Sequence, residues 1–415
     1  MRDLYARPGW VRNFNQFGPA AGGPERVVPL EVEGLLEEAA RGTGLTKFGE
    51  GEWREDLEAL VRSLNEEAEL NLLGRVMVRA EILRTLRVRL RLYAFWEEHP
   101  EVLTSTVRSP IVIAGAARTG TTILQESLSE DSQFHLPYTW RCLDPLPLGP
   151  DRDAEIADRR ERARCEAELW VDVQPEIRAQ HDFGADLPTE CLLFLSLDYR
   201  GDYWGMIANL PAWEERRLEK LYFAGAYEWH KRILQTMQYG EPDGKVWLLK
   251  SPAHLAFLDV FKQTYPDARI IHTHRDPVKC IPSTASITST VRWERSDSVD
   301  CRAVGDRIAL GFRFALENVL DQRIDGRLPA STIVDVHLQD LIRDPAEVVR
   351  QVYSHLDIER PSDMPDKVVA YLGNKPKGKF GKHEYDMSRF GMTPEELRES
   401  FRRYTDHYGV ELEDA

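Results

Sequence analysis

The stretch that decides how this chain is read is GAARTGTT, Gly115 to Thr122. An apolar run, Ile111-Val112-Ile113, precedes it, and Ile123-Leu124-Gln125 follows, so the layout is strand, glycine turn, helix. Gly115 and Gly120 have the spacing of a phosphate-binding loop of the form G-x-x-x-x-G-K-[ST], but Thr121 occupies the lysine place and the loop's one cation is Arg118. Backbone N–H groups from Arg118 to Thr122 are expected to face an anion, helped by the helix N-terminus. Gly120 permits close approach, and Thr121 and Thr122 add hydroxyl donors. No acidic metal-holding partner stands out at a strand end. The loop therefore suits a ligand shorter than a triphosphate, a monophosphate ester or a phosphosulfate, bound without metal.

Outward from the loop, β-rich runs alternate with helical ones. PIVIAG, KVWLLK (245–250), ARIIHTHR (268–275) and STIVDVHL (331–338) read as strands. Helical patterns follow from Thr121, from about His254, from Pro277 and from Pro345, the last with Asp344 as N-cap. The fold class is α/β, a parallel sheet flanked by helices, with ligands expected at the C-terminal strand ends. Residues 1–105 form a helical N-terminal region, 106–415 the α/β domain, and 151–240 a helical insertion expected to cap an acceptor site. Arg75, Arg79, Arg84, Arg87, Arg89 and Arg91 crowd one N-terminal helix, which reads as an amphipathic helix with its arginines on solvent or on acids.

With 415 residues, 42% of them hydrophobic, the chain can bury a large core. Its net charge of −15 disfavours nucleic acid and anionic membrane as partners, so an anionic ligand must be met by a local cluster of cations. Five scattered cysteines without a C-x-x-C pair indicate free thiols rather than a disulfide frame or a zinc site. The opening residues show no signal-peptide core and no run is long enough to span a membrane, so a cytoplasmic location is expected.

Two further segments carry chemistry. In LLKSPAHL, Lys250 ends a strand and is placed to stabilise charge on a leaving oxygen, with His254 in the next turn as a base or donor. In HTHRDPVKCIPS, Arg275 ends a strand and Ser283 lies about two helical turns on, so the pair can grip one phosphate from two sides. His272 and His274 share a strand face without a third metal ligand at suitable spacing, and read as packed histidines.

These segments, in this order, resemble the bacterial branch of the sulfotransferases that use 3′-phosphoadenosine-5′-phosphosulfate (PAPS). Arg118, Thr119, Gly120, Thr121 and Thr122 resemble the family's 5′-phosphosulfate loop; Arg275 and Ser283 resemble its 3′-phosphate segment, and Lys250 its strand-end lysine. VDVHLQDLIRDP (334–345) and KPKGKFGKHEYDMSRFGMT (375–393) resemble its later elements. The resemblance covers about residues 108–405. It implies a P-loop-like fold and in-line transfer of a sulfuryl group from PAPS to a hydroxyl, or less readily an amine, of a small-molecule, lipid or carbohydrate acceptor, leaving 3′,5′-adenosine bisphosphate (PAP). It further implies that one or more of Lys377, Lys379 and Lys382 join Arg275 and Ser283 on the 3′-phosphate, and that Lys250 and Arg118 stabilise the leaving phosphate. Relatives often carry a Trp-Glu pair after the loop helix; here the pair is Trp140-Arg141, so the base must come from elsewhere. His254 is the first choice, with Glu190, His181 and Asp182 as substitutes. The rival readings are a nucleotide or nucleoside kinase, which needs the missing loop lysine and Mg²⁺ ligands, and a nucleotide-binding protein that has lost transfer activity.

Overall fold

A computed structural model of the chain describes residues 4–216, 220–241, 244–374 and 383–414. Five parallel strands form one sheet: β1 (Ile111–Gly115), β2 (Phe134–His135), β3 (Val246–Lys250), β4 (Arg269–His274) and β5 (Ile333–His337). Their order across the sheet is β2-β3-β1-β4-β5. The four strands expected from sequence are present. The two-residue β2 is the addition, too short to show a pattern.

All five residues of β1 are buried, as a central strand covered on both faces requires. Alternate residues feed two cores. Ile111, Ile113, Leu248 and Ile271 pack with Leu124, Val336 and Val349 on one face. Val112, Ala114, Leu249 and Ile270 pack with Tyr227, Phe261 and Leu316 on the other.

β1 lies between β3 and β4; the chain places β2 and β3 on one side of it and β4 and β5 on the other, so the order of the sheet reverses at β1. That is where open α/β sheets leave a crevice for ligands. Helices start where the sequence places them. Thr121–Leu128 follows the loop; Asp276 caps Pro277–Arg295 through the Val278 N–H; Asp344 caps Pro345–His355 through the Glu347 N–H. One start differs. After β3 the chain makes a 3₁₀ turn, Pro252–Phe257, and only then the α-helix Leu258–Thr264.

A third core joins the N-terminal helices to the insertion: Leu57, Leu60, Ile82 and Leu86 pack with Trp170, Tyr199, Trp204 and Trp213. These insertion aromatics are therefore core residues. The arginines of helix Leu72–Glu98 are held by groups remote in sequence. Arg79 and Arg87 meet Glu38, Arg84 meets Glu166, Arg89 meets Asp198 and Arg91 meets Asp144. Arg75 donates to the Val28 carbonyl and the Asn65 side chain. No helix among the described residues is long and apolar enough to cross a membrane.

Candidate active site

The loop after β1 is shaped by close approach. A Cβ on Gly115 would stand 1.9 Å from the Thr273 hydroxyl, so only glycine lets β1 lie this near β4. Gly120 has φ +90° and Arg118 φ +71°. A left-handed arginine costs on the order of 1 kcal/mol, and its side-chain bonds hold it there: Nε donates to Ser283 Oγ at 3.1 Å and Nη1 to the Gln180 carbonyl at 3.0 Å. Thr119 is buried, and its hydroxyl is spent inside the loop, 2.7 Å from the Ala116 carbonyl and 2.6 Å from Thr273 Oγ1. Its side chain braces the loop, and its backbone N–H also turns back to the Ala116 carbonyl, at 3.4 Å. The first turn of Thr121–Leu128 leaves its leading N–H groups without helical acceptors, at the mouth of the loop.

From β3, Lys250 reaches the same place. Its ammonium donates to Thr122 Oγ1 at 3.1 Å and to Glu190 Oε1 at 2.9 Å. From β4, Arg275 donates to the Arg118 carbonyl at 3.2 Å, so Arg118, Arg275 and Ser283 form one cluster. Arg275 also holds the Glu413 carboxylate through two bonds, at 2.7 and 3.0 Å. His383 lies beside the cluster, 3.0 Å from Ser286 Oγ; burial, then the Arg118 charge, pushes its pKa down to about 4. Lys377, Lys379 and Lys382 lie outside the described residues.

His254 is not in this cleft, which corrects its assignment as the base. The 3₁₀ turn after Lys250 turns its ring inward. There it is fully buried, Nδ1 3.1 Å from the Tyr227 hydroxyl, with Phe261 and His230 against it. Burial pushes its pKa down to about 3. The insertion supplies other groups. Glu190 is on Lys250, and half-buried His181 feels the charges of Lys250, Glu190 and Arg118. Burial first, then the Lys250 charge, lowers its pKa below the usual value, so the ring is neutral near pH 7. Its Nδ1 is 2.7 Å from the Asp182 carbonyl, which fixes the proton on Nδ1 and leaves the Nε2 lone pair unengaged.

Arg141, at the place where a carboxylate was expected, points elsewhere. It bonds the Met237 carbonyl and pairs with Glu241 at 3.1 Å at the end of helix Lys220–Gln238. His272 and His274 lie on one sheet face with Asp335, whose carboxylate is gripped by Arg323, so a cation already stands there.

A parallel sheet whose central strand opens into an anion loop, with a lysine from one neighbour and an arginine–serine pair from the other, defines a group-transfer enzyme of the sulfotransferase class. A family model described as the sulfotransferase family matches residues 110–362, and the chain belongs to that family. It is 23% identical over 312 residues to the omega-hydroxy-beta-dihydromenaquinone-9 sulfotransferase Stf3 of Mycobacterium bovis, across 71% of this chain and 74% of the relative. Its structure is similar to that of sulfotransferase STF9 from Mycobacterium avium, with TM-score 0.80 and 25% identity over 93% of this chain and 98% of the other. It is also similar to sulfotransferase STF1 from Mycobacterium tuberculosis, with TM-score 0.76 and 25% identity over 89% and 98%.

Proposed function

We propose that the chain transfers a sulfuryl group from PAPS to the hydroxyl of a small-molecule acceptor. The observation that carries this reading is the convergence of three strand ends on one cleft: the loop with Arg118, the Lys250–Glu190 pair, and the Arg275–Ser283 grip. The residues fit the donor. A glycine-shaped loop leading into the first-turn N–H groups of Thr121–Leu128 takes the 5′-phosphosulfate, and Arg275 with Ser283 takes the 3′-phosphate, joined in the proposal by Lys377, Lys379 or Lys382. The donor supplies the activated sulfuryl group.

Lys250 and Arg118 stabilise the negative charge that grows on the bridging oxygen as the sulfuryl group departs. Glu190 holds the Lys250 ammonium against Thr122, and so against the loop. His181 takes the acceptor proton on Nε2, which its neutral state and its fixed Nδ1–H allow. The name of the mycobacterial relative speaks of a hydroxylated dihydromenaquinone, which supports a hydroxyl as the nucleophile here.

Titration calorimetry with PAP, run beside ATP with Mg²⁺, tests the donor site. PAP is expected to bind selectively, and Arg275→Ala to weaken it tenfold or more, about 1.4 kcal/mol. Binding of ATP–Mg²⁺ without PAP would replace this reading with that of a kinase.

A further inference from the structure

Beneath the cleft, on the inner side of the Lys250–Glu190 pair, the fold gathers Cys191, His230 and His254. All three are fully buried, and one donor atom from each lies within 4.8 Å of the other two. Each ring has a tyrosine on its Nδ1: Tyr265 Oη is 2.7 Å from His230 and Tyr227 Oη 3.1 Å from His254. Each Nε2 is buried without a hydrogen-bond partner. Two orphaned imidazole nitrogens in one core are costly, because neither recovers the bond it made to water. A tyrosine oxygen can accept from Nδ1–H, and in that tautomer each Nε2 presents a lone pair, the arrangement that hydrogen-bonded partners give to metal-binding histidines.

We propose that Cys191, His230 and His254 bind one soft closed-shell metal ion, Cu⁺ or Zn²⁺, through the Cys191 thiolate and the two Nε2 atoms. Binding breaks the S–H bond of Cys191 and releases its proton to solvent. Metal–nitrogen and metal–sulfur distances of about 2.0 and 2.3 Å put ligand atoms roughly 3.5 Å apart, so binding has to draw the three residues together from the 4.8 Å within which one donor atom of each now lies. One thiolate and two neutral rings carry a charge of −1. Cu⁺ makes the buried site neutral, whereas Zn²⁺ leaves a buried positive charge and seeks a fourth ligand. Copper is therefore the better match.

The site would act on position rather than on chemistry. Cys191 follows Glu190, and its N–H donates to the Lys250 carbonyl at 2.9 Å; His254 follows four residues after Lys250. A metal here ties together the two segments that carry the Lys250–Glu190 pair. The trio leaves no motif in the sequence, because its members are 39 and 24 residues apart, far from any metal-ligand spacing.

The test is metal analysis of untagged, full-length protein expressed in copper-supplemented and in zinc-supplemented medium, after dialysis against EDTA. About one equivalent per chain in either arm is expected, and the arm that loads identifies the ion. Near-isosteric Cys191→Ser, checked for native circular dichroism, is expected to lose it. Because that substitution also changes the buried core, cobalt-loaded wild-type protein supplies a second reading: a thiolate-to-cobalt charge-transfer band is expected. Folded wild-type protein without metal in both arms would overturn the proposal, and so would a Cys191→Ser variant that retains it.

Discussion

Replacing Lys250 by methionine separates the structural role of this side chain from the catalytic role proposed for it. Its ammonium is almost fully buried, with Glu190 Oε1 at 2.9 Å and Thr122 Oγ1 at 3.1 Å. Methionine keeps the volume and removes the charge. Breaking a fully buried pair costs about 3–5 kcal/mol. The Glu190 side chain is 20% exposed, so water can reach the abandoned carboxylate, and about 2 kcal/mol of lost stability is expected. Removing a donor that stabilises transition-state charge costs about 10²–10³ in kcat. The double variant Lys250→Met, Glu190→Gln distinguishes the two effects. It no longer buries a lone charge, so stability should return most of the way, while kcat stays low. The assay is urea unfolding beside PAP release in the presence of an accepted hydroxyl substrate. A single variant with kcat within threefold of wild type, or a double variant that regains activity, would refute the role of Lys250.

Four other outcomes follow from the geometry. Glu413 holds Arg275 in the chain without nucleotide, so Glu413→Gln should free the guanidinium and tighten PAP binding by about fivefold, the worth of a partly exposed pair near 1 kcal/mol; weaker binding in calorimetry would show that Glu413 orients Arg275 instead. His181→Gln should lower kcat by about 10²–10³ with PAP affinity unchanged. The wild-type rate should hold through neutral pH and fall only below the ordinary histidine range, since burial lowers the His181 pKa. Stability should drop as pH falls from about 6.5 toward 4. His254, at about 3, and His274, at about 4, are held neutral by burial and bind fewer protons folded than unfolded in that window, so unfolding is favoured as pH falls. A melting temperature equal at pH 7.5 and 5 would contradict this.

The parts of the site carried by regular structure were legible. Gly115, Gly120, Lys250 and Arg275 sit at strand ends or in the turn after one, where local pattern fixes the backbone and the parallel sheet aligns the ends. Ser283 followed from helical spacing after Arg275. The parts carried by irregular chain were not. His254 lies close to Lys250 in sequence, but a 3₁₀ turn rather than an α-helix follows β3 and aims its ring at Tyr227. Thr119 reads like a ligand contact and is used instead to bind the loop to Thr273. Glu190 and His181 arrive from the insertion, whose approach to the loop depends on packing among helices far apart in sequence. The same holds for Glu413, and for the acids that meet the arginines of helix Leu72–Glu98: their partners are 41 to 138 residues distant.

If the proposed function holds, this cleft moves a sulfuryl group. The direct measurement is transfer of radiolabelled sulfur from PAPS to a fractionated pool of hydroxylated small molecules, lipids included, with PAP release followed in parallel and Lys250→Met as the control. One labelled product fraction is expected, formed with equimolar PAP and lost in the variant. PAP-site binding in wild-type protein with no labelled product from any fraction, or equal labelling by the variant, would contradict it.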